Sequence, residues 1–293
     1  MRFTDKKFTP YYIAAIIMLT LSIIAVLIAT YYEDEPEEDV PPVEIITYDE
    51  PSTLFMNGEI PYYPDIPASA FIQDKFESVN GRIVYNDNAV SYSTGVDVSS
   101  FQGDIDWKAV ADDGIDFAII RVALRGYGVS GSLYIDDKCE TNIKGALRAG
   151  LEVGVYIYSQ AITVEEAIEE AEFVLDIIDG YDITGPVVFD WENEPGVGMR
   201  TDNLDGKTLT DCAVMFCKTI KKAGYTPAVY FNLTDAYERY DLDKIKDNVL
   251  WFAQHEGTYP NFYYAYNIWQ YSDSGKVDGI DGNVDLNIRF NIS

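Results

Sequence analysis

The sequence predicts an α/β chain: a TIM-like β/α barrel with helices lacking between its last strands, preceded by a single N-terminal transmembrane helix. Three observations carry this expectation. From Gly95 onward, short apolar β-branched runs alternate with helical patterns, the rhythm of a parallel α/β architecture. The strands number eight while the helical pattern fades after the fifth, which suits a closed barrel better than an open sheet. Residues 11–32 form an uncharged apolar run, long enough at about 1.5 Å per residue to cross a bilayer core of about 30 Å.

Taken in order, Arg2, Lys6 and Lys7 precede the apolar run, and Glu33, Asp34, Glu35, Glu37, Glu38 and Asp39 follow it. The positive-inside rule then places residues 1–10 as a cytoplasmic tail and everything after the run outside the cell, with the domain tethered to the membrane. The run is longer than a signal-peptide core and ends without a small-x-small cleavage site, so a retained anchor is expected. Residues 33–70 are acidic and Pro-rich, an extended stalk that repels itself and buries no core. Residues 71–94 read as a lead-in β-hairpin, with strands Gly81–Tyr85 and Ala89–Tyr92 about the turn Asn86-Asp87-Asn88.

The barrel is expected over residues 95–293. Its strands are read at 95–98, 116–122, 151–158, 186–192, 228–231, 249–253, 264–271 and 284–288. Helices are read at 106–113, 136–149, 164–178 and 208–223, three of them closed by Gly114, Gly150 and Gly224.

Composition narrows the chemistry. A formal charge of -28 excludes electrostatic steering toward nucleic acid and docking on an anionic membrane surface. The 23 tyrosines supply material for an aromatic-lined cleft. Cys139, Cys212 and Cys217 have the spacing of neither a zinc knuckle nor a disulfide, and read as buried free thiols. One histidine, His255, and no G-x-S-x-G elbow leave carboxylates, amides and tyrosines to do any chemistry, with no cofactor and no His-rich metal centre.

The run Pro186-Val187-Val188-Phe189 ends in Asp190-Trp191-Glu192. On a continuing strand, residues two apart leave on one face, so Asp190 and Glu192 would sit side by side, and their mutual repulsion and burial would raise at least one pKa toward that of a working general acid. Other expected strand ends carry Asp97, Tyr156, Tyr158, Tyr230, Gln254, Trp269 and Gln270, and Asp285 lies in the eighth strand. In closed β/α barrels the C-terminal strand ends carry the active site. Each residue alone also has a structural reading as helix cap, core ring or packing group.

Several motifs, in order, resemble the glycoside hydrolase family 25 lysozymes, or muramidases. They are Gly95-Val96-Asp97-Val98-Ser99 with Gln102-Gly103 and Asp106-Trp107; Asp116 to Arg121; Gly154-Val155-Tyr156-Ile157-Tyr158; Asp190-Trp191-Glu192; Ile268-Trp269-Gln270-Tyr271-Ser272; and Val284-Asp285-Leu286-Asn287. The resemblance implies hydrolysis of the β-1,4 bond between N-acetylmuramic acid and N-acetylglucosamine in peptidoglycan. It implies Glu192 as proton donor, Asp190 as its helper, Asp97 and Asp285 as the remaining acids, and Tyr158, Gln270 and Trp269 as shapers of the sugar subsite. Side-by-side carboxylates do not bracket a sugar ring as a retaining or inverting pair does, which suits attack by the substrate's own 2-acetamido oxygen. His255 departs from the resemblance, standing where a family Tyr is expected. Three other readings stay open on the sequence: a chitinase-like hydrolase of another N-acetyl glycan, a tethered wall-binding module without activity, and a Ca²⁺ or Mg²⁺ site built from the four acids. A retained anchor favours work on the cell's own wall or within a membrane-bound assembly.

Overall fold

The computed structural model describes residues 44–47, 59–193 and 198–291. Two small antiparallel pairs precede the main sheet: β1 (Glu44–Thr47) with β2 (Glu59–Tyr62), and β3 (Phe76–Val79) with β4 (Arg82–Tyr85). A hairpin does occupy the lead-in stretch, but one strand earlier than the turn residues suggested. Asn80 and Gly81, with φ of 52° and 79°, form its turn, and an Asn-Gly pair with positive φ at both positions matches the right-handed twist of the flanking strands. Residues 86–90 instead lead into the barrel.

The end of the expected stalk is docked rather than extended. Ile60 and Ile66 are buried. The Tyr63 amide donates to the Tyr264 hydroxyl at 2.9 Å and the Ala265 amide to the Pro67 carbonyl at 2.9 Å.

Eight strands close the barrel: β5 (Ser91–Val98), β6 (Phe117–Arg125), β8 (Glu152–Tyr158), β9 (Val187–Asp190), β10 (Pro227–Asn232), β11 (Val249–Ala253), β12 (Ile268–Gly275) and β13 (Val284–Asn291). β7 (Leu133–Ile135) pairs antiparallel with the end of β6 as a short outer ribbon. From β5 to β12 the barrel neighbours are parallel, but β13 is antiparallel to both β12 and β5. The expectation of a TIM-like barrel is therefore corrected: this is a distorted barrel with a mixed sheet. The cause is chain length. Only residues 276–283 join β12 to β13, and a parallel crossover needs a dozen residues or more, so a hairpin is forced.

Helices α1 (Trp107–Asp112), α2 (Cys139–Ala149), α3 (Val164–Ile178) and α4 (Gly206–Lys222) cover the first half, and short α5 (Leu233–Glu238) and α6 (Leu242–Ile245) precede β11. Among the described residues no helix is long and apolar enough to cross a membrane. The transmembrane helix expected at 11–32, the tail before it and most of the stalk lie outside the described residues.

Two apolar layers hold the barrel. Phe117, Ile119, Val188, Ala228, Tyr230, Trp251 and Ile268 fill its interior, while alternate residues of the same strands pack outward under the helices. Gly95 faces Phe117 in register, and a Cβ there would sit 2.3 Å from the Phe117 ring. Below that ring Arg289 stacks at 4.7 Å and pairs in fork geometry with Glu152 at 2.6 and 2.7 Å. These contacts fill the end of the barrel opposite the polar rim.

Candidate active site

At the C-terminal end of β5, Asp97 faces Asp285 of β13 across the antiparallel seam. The Asp97 Oδ2 atom accepts the Gln270 Nε2–H at 2.9 Å and the Asn287 Nδ2–H at 2.8 Å. Each amide is itself fixed. Trp251 Nε1–H donates to Asn287 Oδ1 at 2.8 Å, the Tyr230 hydroxyl donates to Gln270 Oε1 at 3.0 Å, and His255 Nε2 lies 2.8 Å from the same oxygen. Since that oxygen only accepts, the His255 tautomer here carries its proton on Nε2. The antiparallel closure is what makes this cluster: it brings Asp285 and Asn287, two apart on β13, beside the Asp97 strand end.

The two aspartates share a proton. Burial and then the Asp97 charge push Asp285 up to about 9, and Asp285 donates a hydrogen bond to Asp97. Burial also raises Asp97, opposed by the hydrogen bonds from Asn287, Gln270 and Asp285. At neutral pH the pair carries one proton, held on Asp285. A strongly raised acid thus stands on the β5–β13 seam.

β9 ends at Asp190, so Glu192 lies beyond the strand, and the same-face rule does not reach it. Asp190 is buried, registered with Tyr158 on one side and Tyr230 on the other; Glu192 is half-buried. Trp191 between them is buried, with the Arg239 guanidinium 5.3 Å from its ring centre. The four acids nonetheless converge. Burial first, then the charges of Glu192, Asp190, Asp97 and Asp285, drive the Tyr230 hydroxyl well above its ordinary pKa. Tyr156 is likewise raised by burial and by Asp97, with smaller contributions from Asp190 and Asp285.

Two of the expected wall residues stand elsewhere. Trp269 is fully buried on the outer face of β12, 5.7 Å from Phe76, while its neighbour Gln270 points inward. Alternation along a strand makes it impossible for both to line the cavity. Gln254 spends its side chain on the following loop, donating to Glu256 and accepting from the Asn261 amide at 2.8 Å. Tyr156, Tyr158 and Tyr230 line the rim with Gln270. Among the described residues no group of three or more His, Cys, Asp or Glu side chains is arranged to hold a metal ion.

Sequence reasoning gave no role to Asn287, took His255 for a departure, and passed over a buried ionic lattice behind β9. Arg125 is 2% exposed; its Nε donates to Glu170 at 2.7 Å, one terminal nitrogen to the Gly131 carbonyl at 2.7 Å, and the other to the Glu166 carbonyl and Glu169. Glu170 in turn accepts the Ser159 hydroxyl at 2.6 Å, and the Ser159 amide donates to the Asp190 carbonyl at 2.6 Å. Burial pushes Glu170 up to about 7, opposed by Ser159 and Arg125. Arg200 adds a bond to Glu166 at 2.7 Å and, through its amide, one to the Tyr127 carbonyl at 3.2 Å. The lattice ties the loops after β6, β8 and β9 to α3, so the Asp190 strand end is held from behind. A signal was present: Glu170 interrupts the stripe Ala167, Ala171, Val174, Ile178 that α3 buries.

The family described as Glycosyl hydrolases family 25 matches residues 96–280. The autolytic lysozyme of Clostridium acetobutylicum is 29% identical over 192 residues, which cover 66% of this chain and 54% of that enzyme. Lysozyme M1 of Streptomyces globisporus is 27% identical over 205 residues, 67% of each chain. Among solved structures, the modular autolysin LytC from Streptococcus pneumoniae, in complex with a synthetic peptidoglycan ligand, superposes with a TM-score of 0.61 at 26% identity, over 74% of this chain and 52% of that one. The chain thus spans about half the length of the Clostridium relative.

Proposed function

From the premise that this chain belongs to glycosyl hydrolases family 25, whose match covers residues 96–280, we propose that it hydrolyses peptidoglycan at the β-1,4 bond between N-acetylmuramic acid and N-acetylglucosamine. The observation that carries the reading is the convergence of Glu192, Asp190, Asp97 and Asp285 around Tyr230 at one barrel rim. The lysozymes and autolysin to which the chain is similar support the substrate class.

In this reading Glu192 gives its proton to the glycosidic oxygen as the bond to the anomeric carbon breaks. The substrate's 2-acetamido oxygen attacks that carbon from the opposite face, and Asp190 accepts a hydrogen bond from the acetamido N–H, aligning it. Water then opens the cyclic intermediate, returning a proton to Glu192 and retaining the anomeric configuration. Asp285 keeps its proton at neutral pH but directs it to Asp97. The pair therefore adds one negative charge, not two, beside the developing positive sugar, and leaves Glu192 as the proton source. The active domain would work outside the cytoplasm, where this polymer lies.

The test is digestion of purified peptidoglycan by the full chain, with borohydride reduction and mass spectrometry of the products. Muramicitol termini are expected from the wild type and none from Glu192→Gln. Glucosaminitol termini, cleavage of chitin in place of peptidoglycan, or an inverted product seen by NMR would each overturn a stated part.

A further inference from the structure

Exposed hydrophobic side chains are gathered rather than scattered. Of the eight large ones exposed among the described residues, four fall between residues 127 and 135, Tyr127, Val129, Tyr134 and Ile135, and a fifth, Phe101, follows Ser100, whose amide donates to Asp136 at 3.1 Å. Single exposed apolar residues need no explanation, but a gathering of them marks a contact surface.

The sheet register shows where this surface points. Tyr134 pairs with Leu124, Leu124 with Tyr158, and Tyr158 with Asp190. Residues in register leave a sheet on the same face, so Tyr134 shares the face that carries Asp190 and lies three strand spacings, roughly 14 Å, away from it. Tyr127 closes the gap from above, its ring meeting the Tyr158 ring edge-on at 6.1 Å. Phe101, 84% exposed, lies beside the end of β5 with Arg121 5.0 Å from its ring centre. The ribbon that carries Tyr127 is held by Arg125 on the Gly131 carbonyl and by the Arg200 amide on the Tyr127 carbonyl. Its backbone is tied down before any ligand arrives, which lowers the ordering cost of binding.

The neighbouring charges select the occupant. Arg121 pairs with Asp136, Arg125 with Glu169 and Glu170, and Arg200 with Glu166. The shelf therefore presents ring faces and no counter-charge for an anionic group, on a chain of formal charge -28. An aromatic face is negative, and the C–H bonds on the face of a pyranose ring are weakly positive, so a sugar ring suits it.

We infer that Tyr127 and Tyr134 form an outer saccharide subsite, which stacks the glycan strand beyond the sugars flanking the cleaved bond. The inference rests on reading the acidic rim as a glycan-cleaving site. A span of about 14 Å reaches past one sugar ring, so the shelf serves long strands.

The experiment titrates the full chain with peptide-free glycan strands and, separately, with free stem peptides, by calorimetry on a Glu192→Gln background. Tyr127→Ala/Tyr134→Ala is expected to weaken glycan binding about tenfold or more, at roughly three- to tenfold per ring, while Tyr127→Phe/Tyr134→Phe retains affinity. Steady-state digestion of long strands should show the loss in KM, with kcat within about twofold. Circular dichroism checks the fold, and Ile72→Ala, an exposed residue elsewhere, serves as control. Unchanged glycan affinity in the double Ala variant overturns the inference. So does stem-peptide binding that the variant abolishes, which would make the shelf a peptide site. A wild type that binds strands through the shelf yet cleaves none overturns the proposed function while leaving the subsite standing.

Discussion

Replacing Asp285 by Asn should change how stability depends on pH. Native Asp285 keeps its proton up to about 9, whereas an unfolded Asp releases it near ~3.9. Between those values the native state binds one more proton than the unfolded chain. The stability tied to that proton is fully present below the unfolded pKa, and falls by about 1.4 kcal/mol per pH unit until the native group itself ionises. The Asp285→Asn change removes the titrating group while keeping a neutral amide donor toward Asp97. Between about pH 5.5 and about pH 8.5 the wild type should therefore lose roughly 4 kcal/mol relative to the variant. Urea unfolding at closely spaced pH values measures this directly, as a shift in midpoint at constant m. Two stability curves that stay parallel to within about 1 kcal/mol over that range would refute the shared proton.

The remaining expectations are more local. Glu192→Gln should lower the rate of muropeptide release by about 10²–10⁴-fold, the range general acid catalysis contributes, with thermal unfolding little changed because Glu192 is only half-buried. Arg125→Met strands Glu170 in the interior and should cost about 3–5 kcal/mol, whereas Arg125→Met/Glu170→Met should recover much of that loss in the same urea assay. If the double variant is no more stable than the single one, the pair does not account for the cost. Gly95→Ala would force a methyl group into the Phe117 ring, destabilising by about 1–3 kcal/mol; Phe117→Leu in the same chain should restore part of it. Cys139 and Cys212 are pushed up to about 12 by burial, and burial raises Cys217 as well. All three should resist Ellman's reagent in the native state and react together in denaturant.

Asp97 and Asp190 were legible because each lies at the end of an apolar run, where a strand meets the rim; Asp285 lies at the start of its strand instead. The same reasoning misplaced Trp269, since adjacency in sequence hides that Gln270 and Trp269 leave opposite faces of β12. It also extended β9 through Glu192, although the strand stops at Asp190. Arg125, Glu170 and Ser159 carried little sequence signal as a group. They are 11 to 45 positions apart, and only the packing of α3 against β6 and β8 brings them together.

By itself the sequence determined the alternation of strands and helices from Gly95, the free thiols as buried groups, and the short list of acids from which any chemistry must be drawn. Those properties follow from local periodicity and composition, which each segment carries with it. The tertiary structure decided the rest. The eight residues between β12 and β13 permit only a hairpin, so β13 enters against its neighbours and the barrel is mixed. That reversal sets Asp285 beside Asp97 in a buried seam, where two like charges share one proton. No local pattern encodes it, because the pKa of either group depends on a partner nearly the whole domain away in the chain.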